Sequence, residues 1–83
     1  MADTKTKITT LDKLSIGTKG RVICIRGKGR VRQRILTMGL VKETIVLVLR
    51  KAPMGDPVEF RVKGYNLSLR KEEASLIEVE VIR

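Results

Sequence analysis

Seven cations stand between positions 19 and 34 with no acid among them: Lys19, Arg21, Arg26, Lys28, Arg30, Arg32 and Arg34. Such side chains form charge-assisted hydrogen bonds to carboxylates and phosphates. The segment therefore suits an anionic partner: nucleic acid, an acidic protein face or an anionic membrane surface. The same run also suits a solvated basic face that only keeps the chain soluble. Groups able to make and break bonds are scarce. There is no His, and Cys24 is the only cysteine. A His general base, a Ser-His-Asp triad, an intrachain disulfide and a Cys/His zinc site are thereby excluded. Glu72-Glu73 and Glu78 with Glu80 are acidic pairs, but their spacing suits solvated faces of a short helix and an exposed strand. The Gly-x-Gly around Lys28 is too short for a phosphate-cradling loop. These residues point to binding rather than catalysis, with no catalytic residue and no cofactor.

The cations are unevenly placed. Residues 1–50 carry twelve basic and three acidic side chains, and residues 51–83 carry six of each, so the whole net charge of +9 arises in the first part. Leu, Ile, Val and Phe make up 27 of the 83 residues, enough for a folded core. That length supports one small domain, expected over residues 9–83 behind a flexible polar leader over residues 1–8. The leader lacks the apolar segment of a signal peptide. The longest apolar run, residues 45–49, is far short of the ~20 residues that cross a bilayer. A cytosolic protein is expected.

Several elements must hold the basic segment. Thr9 precedes Asp12 by three residues, a capping-box signal for one helical turn carrying Leu11 and Leu14, which Gly17 ends. Residues 21–26 and 44–50 read as strands apolar on both faces, with Cys24 a small buried hydrophobe. Between them Val31, Ile35 and Met38 fall at helical spacing, and Gly39 stands where a helix stop needs positive φ, with Leu40 as its apolar contact. Arg30 and Arg32 sit in the first turn of that helix, where its dipole disfavours cations; this mismatch favours a role toward a partner. Residues 52–57 are turn formers, and Val58, Phe60 and Val62 alternate with polar residues as the second arm of a hairpin. Residues 65–69 fit either a short strand or a loop, with Ser68 able to cap a helix over residues 71–76. Ile77, Val79 and Val81 alternate again as a last strand. The expected fold is mainly β with short helices, a small closed or nearly closed barrel. Val22, Ile35, Met38, Leu47, Phe60, Val62, Val79 and Val81 are its expected core.

Three motifs in this order resemble the ferrous iron transport protein A (FeoA) family. Arg34-Ile35-Leu36-Thr37-Met38-Gly39-Leu40 looks like its helix end, and Ala52-Pro53-Met54-Gly55-Asp56-Pro57-Val58 like its hairpin. The tail over residues 64–79, with Arg70, Ala74 and Ile77, is also similar. The resemblance covers about residues 10–82. It implies an SH3-like β-barrel with a helix inserted after the first core strand. It also implies a non-enzymatic accessory protein of prokaryotic ferrous iron uptake that binds or regulates the FeoB transporter, a membrane protein with a cytoplasmic G-protein domain. The protein would then lie at the inner face of the membrane through that partner. Weak contact with anionic lipid and self-association are compatible with this. One departure stands out: Lys42-Glu43 replaces a Pro-Gly turn frequent in the family.

The candidate partner-binding residues are Arg30, Arg32, Arg34, Met38, Leu40, Pro53, Met54, Asp56 and Arg70. Met38 and Leu40 serve equally as plain core, and residues 53–57 equally as a plain turn. Arg70 suits a partner contact or a bond to the acids of the last strand. The competing function is a nucleic-acid-binding barrel. Gly17-Thr18-Lys19-Gly20-Arg21-Val22 followed by Gly27-Lys28-Gly29-Arg30-Val31 is similar to the KOW pattern of ribosomal SH3-like domains. Two rings, Phe60 and Tyr65, are few for base stacking, so no specific nucleic acid is expected. Iron chemistry gives a testable expectation. Ferrous ion favours imidazole or mixed N/O ligands, and only oxygens and one thiol are on offer. Anaerobic calorimetry with ferrous ion should show no site tighter than roughly tens of micromolar. A stoichiometric submicromolar site contradicts this.

Overall fold

The computed structural model describes residues 7–82. Strands β1 (Ile8–Thr10), β2 (Lys19–Ile25), β3 (Ile45–Lys51), β4 (Val58–Val62), β5 (Tyr65–Leu69) and β6 (Ile77–Ile82) are joined by helices α1 (Gly29–Thr37) and α2 (Lys71–Ala74). They form one antiparallel sheet in the order β1-β6-β2-β3-β4-β5. The mainly β architecture with a helix after the first core strand is as expected. Leu11, in a 3-10 turn after β1, and Leu69, on the strand at the opposite end of the sheet, belong to one buried cluster with Phe60 and Val79. The sheet therefore wraps around its core.

Two bulges set which side chains reach that core. In β2 the register against β6 shifts between Val22 and Cys24, so Val22 faces Val79, Cys24 faces Glu78 and Ile25 faces Ile77. One inserted residue reverses the alternation. Cys24, expected inside, is exposed instead, and Ile25 packs against the core. A second shift in β3 lies between Val48 and Arg50 and sets Arg50 opposite Glu59 on the outer face. Neither strand is buried on both faces: Ile45 is exposed and Leu47 only half-buried. Val22, Ile35, Phe60, Val62 and Val79 are core as expected, whereas Met38 and Val81 are half-buried at its margin. Gly20 lies in β2 because a Cβ there would stand 3.0 Å from both Leu14 and Val79.

The ends of the chain's elements follow local chemistry. The polar leader falls outside the described residues through residue 6; Ile8 opens β1, and Thr9 pairs with Val79. The capping box at Thr9 is absent: Thr10 precedes the 3-10 turn, and its hydroxyl bonds the Asp12 carboxylate rather than a backbone N–H. The α1 stop is a Schellman motif. Gly39 takes φ +93°, its N–H donates to Leu36 O at 2.9 Å and the Leu40 N–H donates to Ile35 O. Ile35 and Leu40 are wholly buried in the core cluster. Residues 65–69 form a strand rather than a loop, after a Lys63-Gly64 turn with both φ positive, which matches strand twist. Ser68 therefore lies within β5, and Arg70 takes the N-cap position of α2. Lys42-Glu43 keeps the turn expected of Pro-Gly. The Thr44 N–H donates to Val41 O at 3.1 Å, and Glu43 takes φ +78° at the place where a type II turn favours Gly.

Phe60 is the largest wholly buried side chain. Phe60→Ala should cost about 3–5 kcal/mol and lower the melting temperature by well over ten degrees. A variant melting within a degree of the parent contradicts Phe60 as the centre of the core.

Candidate partner-binding surface

Helix α1 divides its side chains between the core and the surface. Ile35 and Met38 pack against the core, and Leu36 is half-buried. Arg30 and Arg34, one turn apart, share a second stripe. Arg34 is committed: its guanidinium pairs with Glu73 of α2, whose side chain is only 11% exposed. The other Glu73 oxygen accepts the Arg70 N–H at 2.9 Å. Arg34, expected to serve a partner, thus ties the two helices together. Arg30 and Arg32 are exposed, and no carboxylate pairs with them among the described residues. Acids are absent from the first turn of α1, and no side chain caps its N-terminus.

The remaining basic residues divide the same way. Arg21 bonds Glu80 at 3.2 Å and lies 3.9 Å from Glu43, Arg26 pairs with Glu78, and Arg50 pairs with Glu59. These exposed pairs bridge adjacent strands and contribute little each. Because Glu78 and Glu80 are taken, Arg70 does not bond the acids of the last strand. It is exposed and unpaired among the described residues.

The loop between β3 and β4 is also split between structure and surface. Pro53 is exposed, and Met54 is 91% exposed, an apolar side chain held almost wholly in water. Asp56 instead accepts the Lys71 N–H at 2.9 Å, capping the first turn of α2. That bond gives Asp56 a structural role within the fold. Leu40, wholly buried behind the Gly39 stop, offers a partner no surface. Met38 is half-buried, and its carbonyl accepts the Tyr65 hydroxyl. Tyr65 thereby closes the end of α1; a Cβ on Gly39 would collide with that hydroxyl. Sequence reasoning assigned Tyr65, Glu73 and Lys42 no site role. The alternation of residues 65–69 was the available signal for Tyr65; nothing separates Glu73 from Glu72 before folding.

Of the candidate residues, Arg30, Arg32, Pro53, Met54 and Arg70 are exposed and carry no ion pair among the described residues. No group of three metal-ligating side chains occurs among the described residues. No helix among them is long and apolar enough to cross a membrane.

A family model described as the FeoA domain matches residues 9–81. A Porphyromonas gingivalis protein named as a fusion of Fe(2+) transport protein A and Fe(2+) transporter FeoB is 43% identical over 72 residues. That alignment covers 87% of this chain and 8% of the fusion protein, so the chain spans a small part of that relative's length. Among solved structures, a FeoA-like protein from Clostridium acetobutylicum superposes with a TM-score of 0.87 at 46% identity, over 95% of this chain and 92% of that one. Stenotrophomonas maltophilia FeoA complexed with zinc, described as a prokaryotic SH3 domain protein, gives a TM-score of 0.76 at 27% identity, over 86% and 88%. The SH3-like fold expected from the motifs is thus the fold observed.

The division between Arg34 and its neighbours can be measured. Arg34→Ala leaves a buried carboxylate without its cation and should cost about 1–3 kcal/mol. The double variant Arg30→Glu/Arg32→Glu should stay within about 0.5 kcal/mol of the parent, on the stabilising side, because acids suit a helix N-terminus. Equal losses in the two proteins by urea titration contradict the assignment.

Proposed function

The chain belongs to the FeoA family, associated with ferrous iron transport, and on that premise we propose that it is a non-enzymatic cytosolic accessory protein of ferrous iron uptake. It binds or regulates a FeoB-type transporter at the inner face of the membrane. The observation that carries this reading is the fused relative, in which one chain joins the two activities named for it. Fusion places two partners at high effective concentration, and is useful where they meet as separate chains only weakly. The exposed Arg30 and Arg32 supply a surface that the fold itself does not use, and long-range attraction through such cations speeds encounter with an acidic face. Anionic lipid beside the transporter adds to the same attraction.

The nucleic-acid reading gains little stacking surface. Phe60 is wholly buried, which leaves the partly exposed Tyr65, its hydroxyl bonded to the Met38 carbonyl, as the single surface ring.

Capture of the transporter from native membranes tests the proposal. The parent protein should retain one large polytopic protein, and Arg30→Glu/Arg32→Glu should retain much less, with the difference greatest at low salt. Unchanged capture by the reversed protein moves the contact to the Pro53–Met54 tip. Tight RNA retention whose affinity falls steeply with salt, without the transporter, would favour the nucleic-acid reading instead.

A further inference from the structure

Strand β2 is longer than its partner on one side. It pairs with β3 only at Lys19, Gly20 and Arg21. The Val22 N–H then donates to Thr44 O, and the Glu43 N–H donates to Val22 O, each at 2.8 Å. Beyond Val22 no strand or loop among the described residues pairs with that edge, while β6 covers the other edge as far as Ile25. Between the open edge and α1 lies a cleft of about 200 Å³ lined by Ile23, Cys24, Ile25, Arg32, Leu36 and Lys42.

The composition of this cleft limits its occupant. It is smaller than the ~300–1,000 Å³ of small-molecule sites, and it is a groove rather than a chamber. Its floor is aliphatic and half-buried at Ile23, Ile25 and Leu36. Its rim carries two cations, Arg32 from α1 and Lys42 from the following turn, neither paired with a carboxylate among the described residues. The nearest acids on β2's neighbours are already engaged: Glu78 with Arg26, and Glu43 and Glu80 with Arg21. An unpaired strand edge beside a helix is the arrangement that accepts an added strand, with backbone bonds giving affinity and alternate side chains giving specificity.

We propose that this cleft takes an extended acidic segment of a partner protein, which adds as a strand along β2 at Ile23 to Ile25 and sets carboxylates against Arg32 and Lys42. The inference rests on the reading of the chain as a partner-binding accessory protein and names the chemistry of what is bound. Apolar side chains on alternate positions of the segment rest on Ile23, Ile25 and Leu36. Arg32 and Leu36, one helical turn apart, present one cation and one apolar contact to the same strand. Cys24, the chain's only cysteine, lies in the groove and reports on its occupancy.

The probe is the blocked hexapeptide Glu-Val-Glu-Val-Glu-Val, compared with its Lys-Val counterpart and with a version N-methylated at alternate amides. The acidic peptide should bind saturably and about ten-fold tighter than the Lys peptide at low salt. It should shift the amide signals of Cys24, Ile25, Arg32 and Lys42 and slow alkylation of Cys24 by N-ethylmaleimide. N-methylation should weaken it about ten-fold by removing strand donors. Arg32→Glu/Lys42→Glu should reverse the preference toward the Lys peptide. Absence of binding, equal binding of the N-methylated peptide, or shifts confined to other surfaces overturns the proposal. Transporter capture separates the two levels. If Arg32→Glu/Lys42→Glu still retains the transporter and the peptide fails, the groove is wrong and the accessory reading stands. If the parent retains no transporter but the peptide seats along β2 as described, the groove stands and the accessory reading falls.

Discussion

A single buried carboxylate ties the two helices of this protein together. Glu73 is nearly inaccessible to water, and a charge so placed has to be both paired and hydrogen-bonded. Its two partners come from different elements, the guanidinium of Arg34 on α1 and the N–H of Arg70 before α2. A four-residue helix has no stability of its own. Helix α2 exists because Glu73 accepts one of its free amides, Asp56 from the β3–β4 loop accepts another, and Ala74 is wholly buried. The pair also fixes the rotation of α1 about its axis. With Arg34 turned to α2 and Ile35 to the core, Arg32 and Leu36 face the β2 edge.

The second constraint is the bulge in β2. A regular strand would send Cys24 inward and leave Ile25 outside. The inserted residue exchanges them and gives the core Ile25, on a stretch of β2 that runs past the start of β3 with one edge unpaired. Edge strands are usually shortened or covered, because they invite pairing with another chain. Here the open stretch is only three residues long, stands beside a helix and is guarded by Arg32 and Lys42. Those cations discourage pairing with a second copy of a chain whose net charge is +9, and favour an acidic strand.

Much of this architecture was legible in the residues, and what was missed has two physical causes. Gly39 and Leu40 announce the end of α1 because positive φ after an apolar stripe has few solutions. Val58, Phe60 and Val62 announce their strand through strict alternation. The inner face of β2 was misread because four consecutive apolar residues carry no phase, and a bulge leaves no mark in composition. The candidate site suffered more. Arg34 looked like its neighbours Arg30 and Arg32, and Glu73 like Glu72, until the chain brought positions 34 and 73 together. Asp56 and Lys71 are likewise joined only by the fold. Partner-facing and structural charges have the same side chains; only long-range contacts separate them. Glu43 is the opposite case. It stands where the family often has Gly, yet the backbone accepts a glutamate at positive φ, with its own N–H donating to Val22 O and the Thr44 N–H donating to Val41 O.

In the proposed complex the cationic side of α1 and the adjoining β2 edge, rather than the loop tip, meet the partner. Cross-saturation from the detergent-solubilised transporter to isotopically labelled protein reads this contact residue by residue. Contact there should cost intensity at Cys24, Arg30, Arg32 and Lys42 and leave the Met54 and Gly55 amides unaffected. Loss centred on Met54 and Gly55, with α1 and β2 untouched, would contradict it.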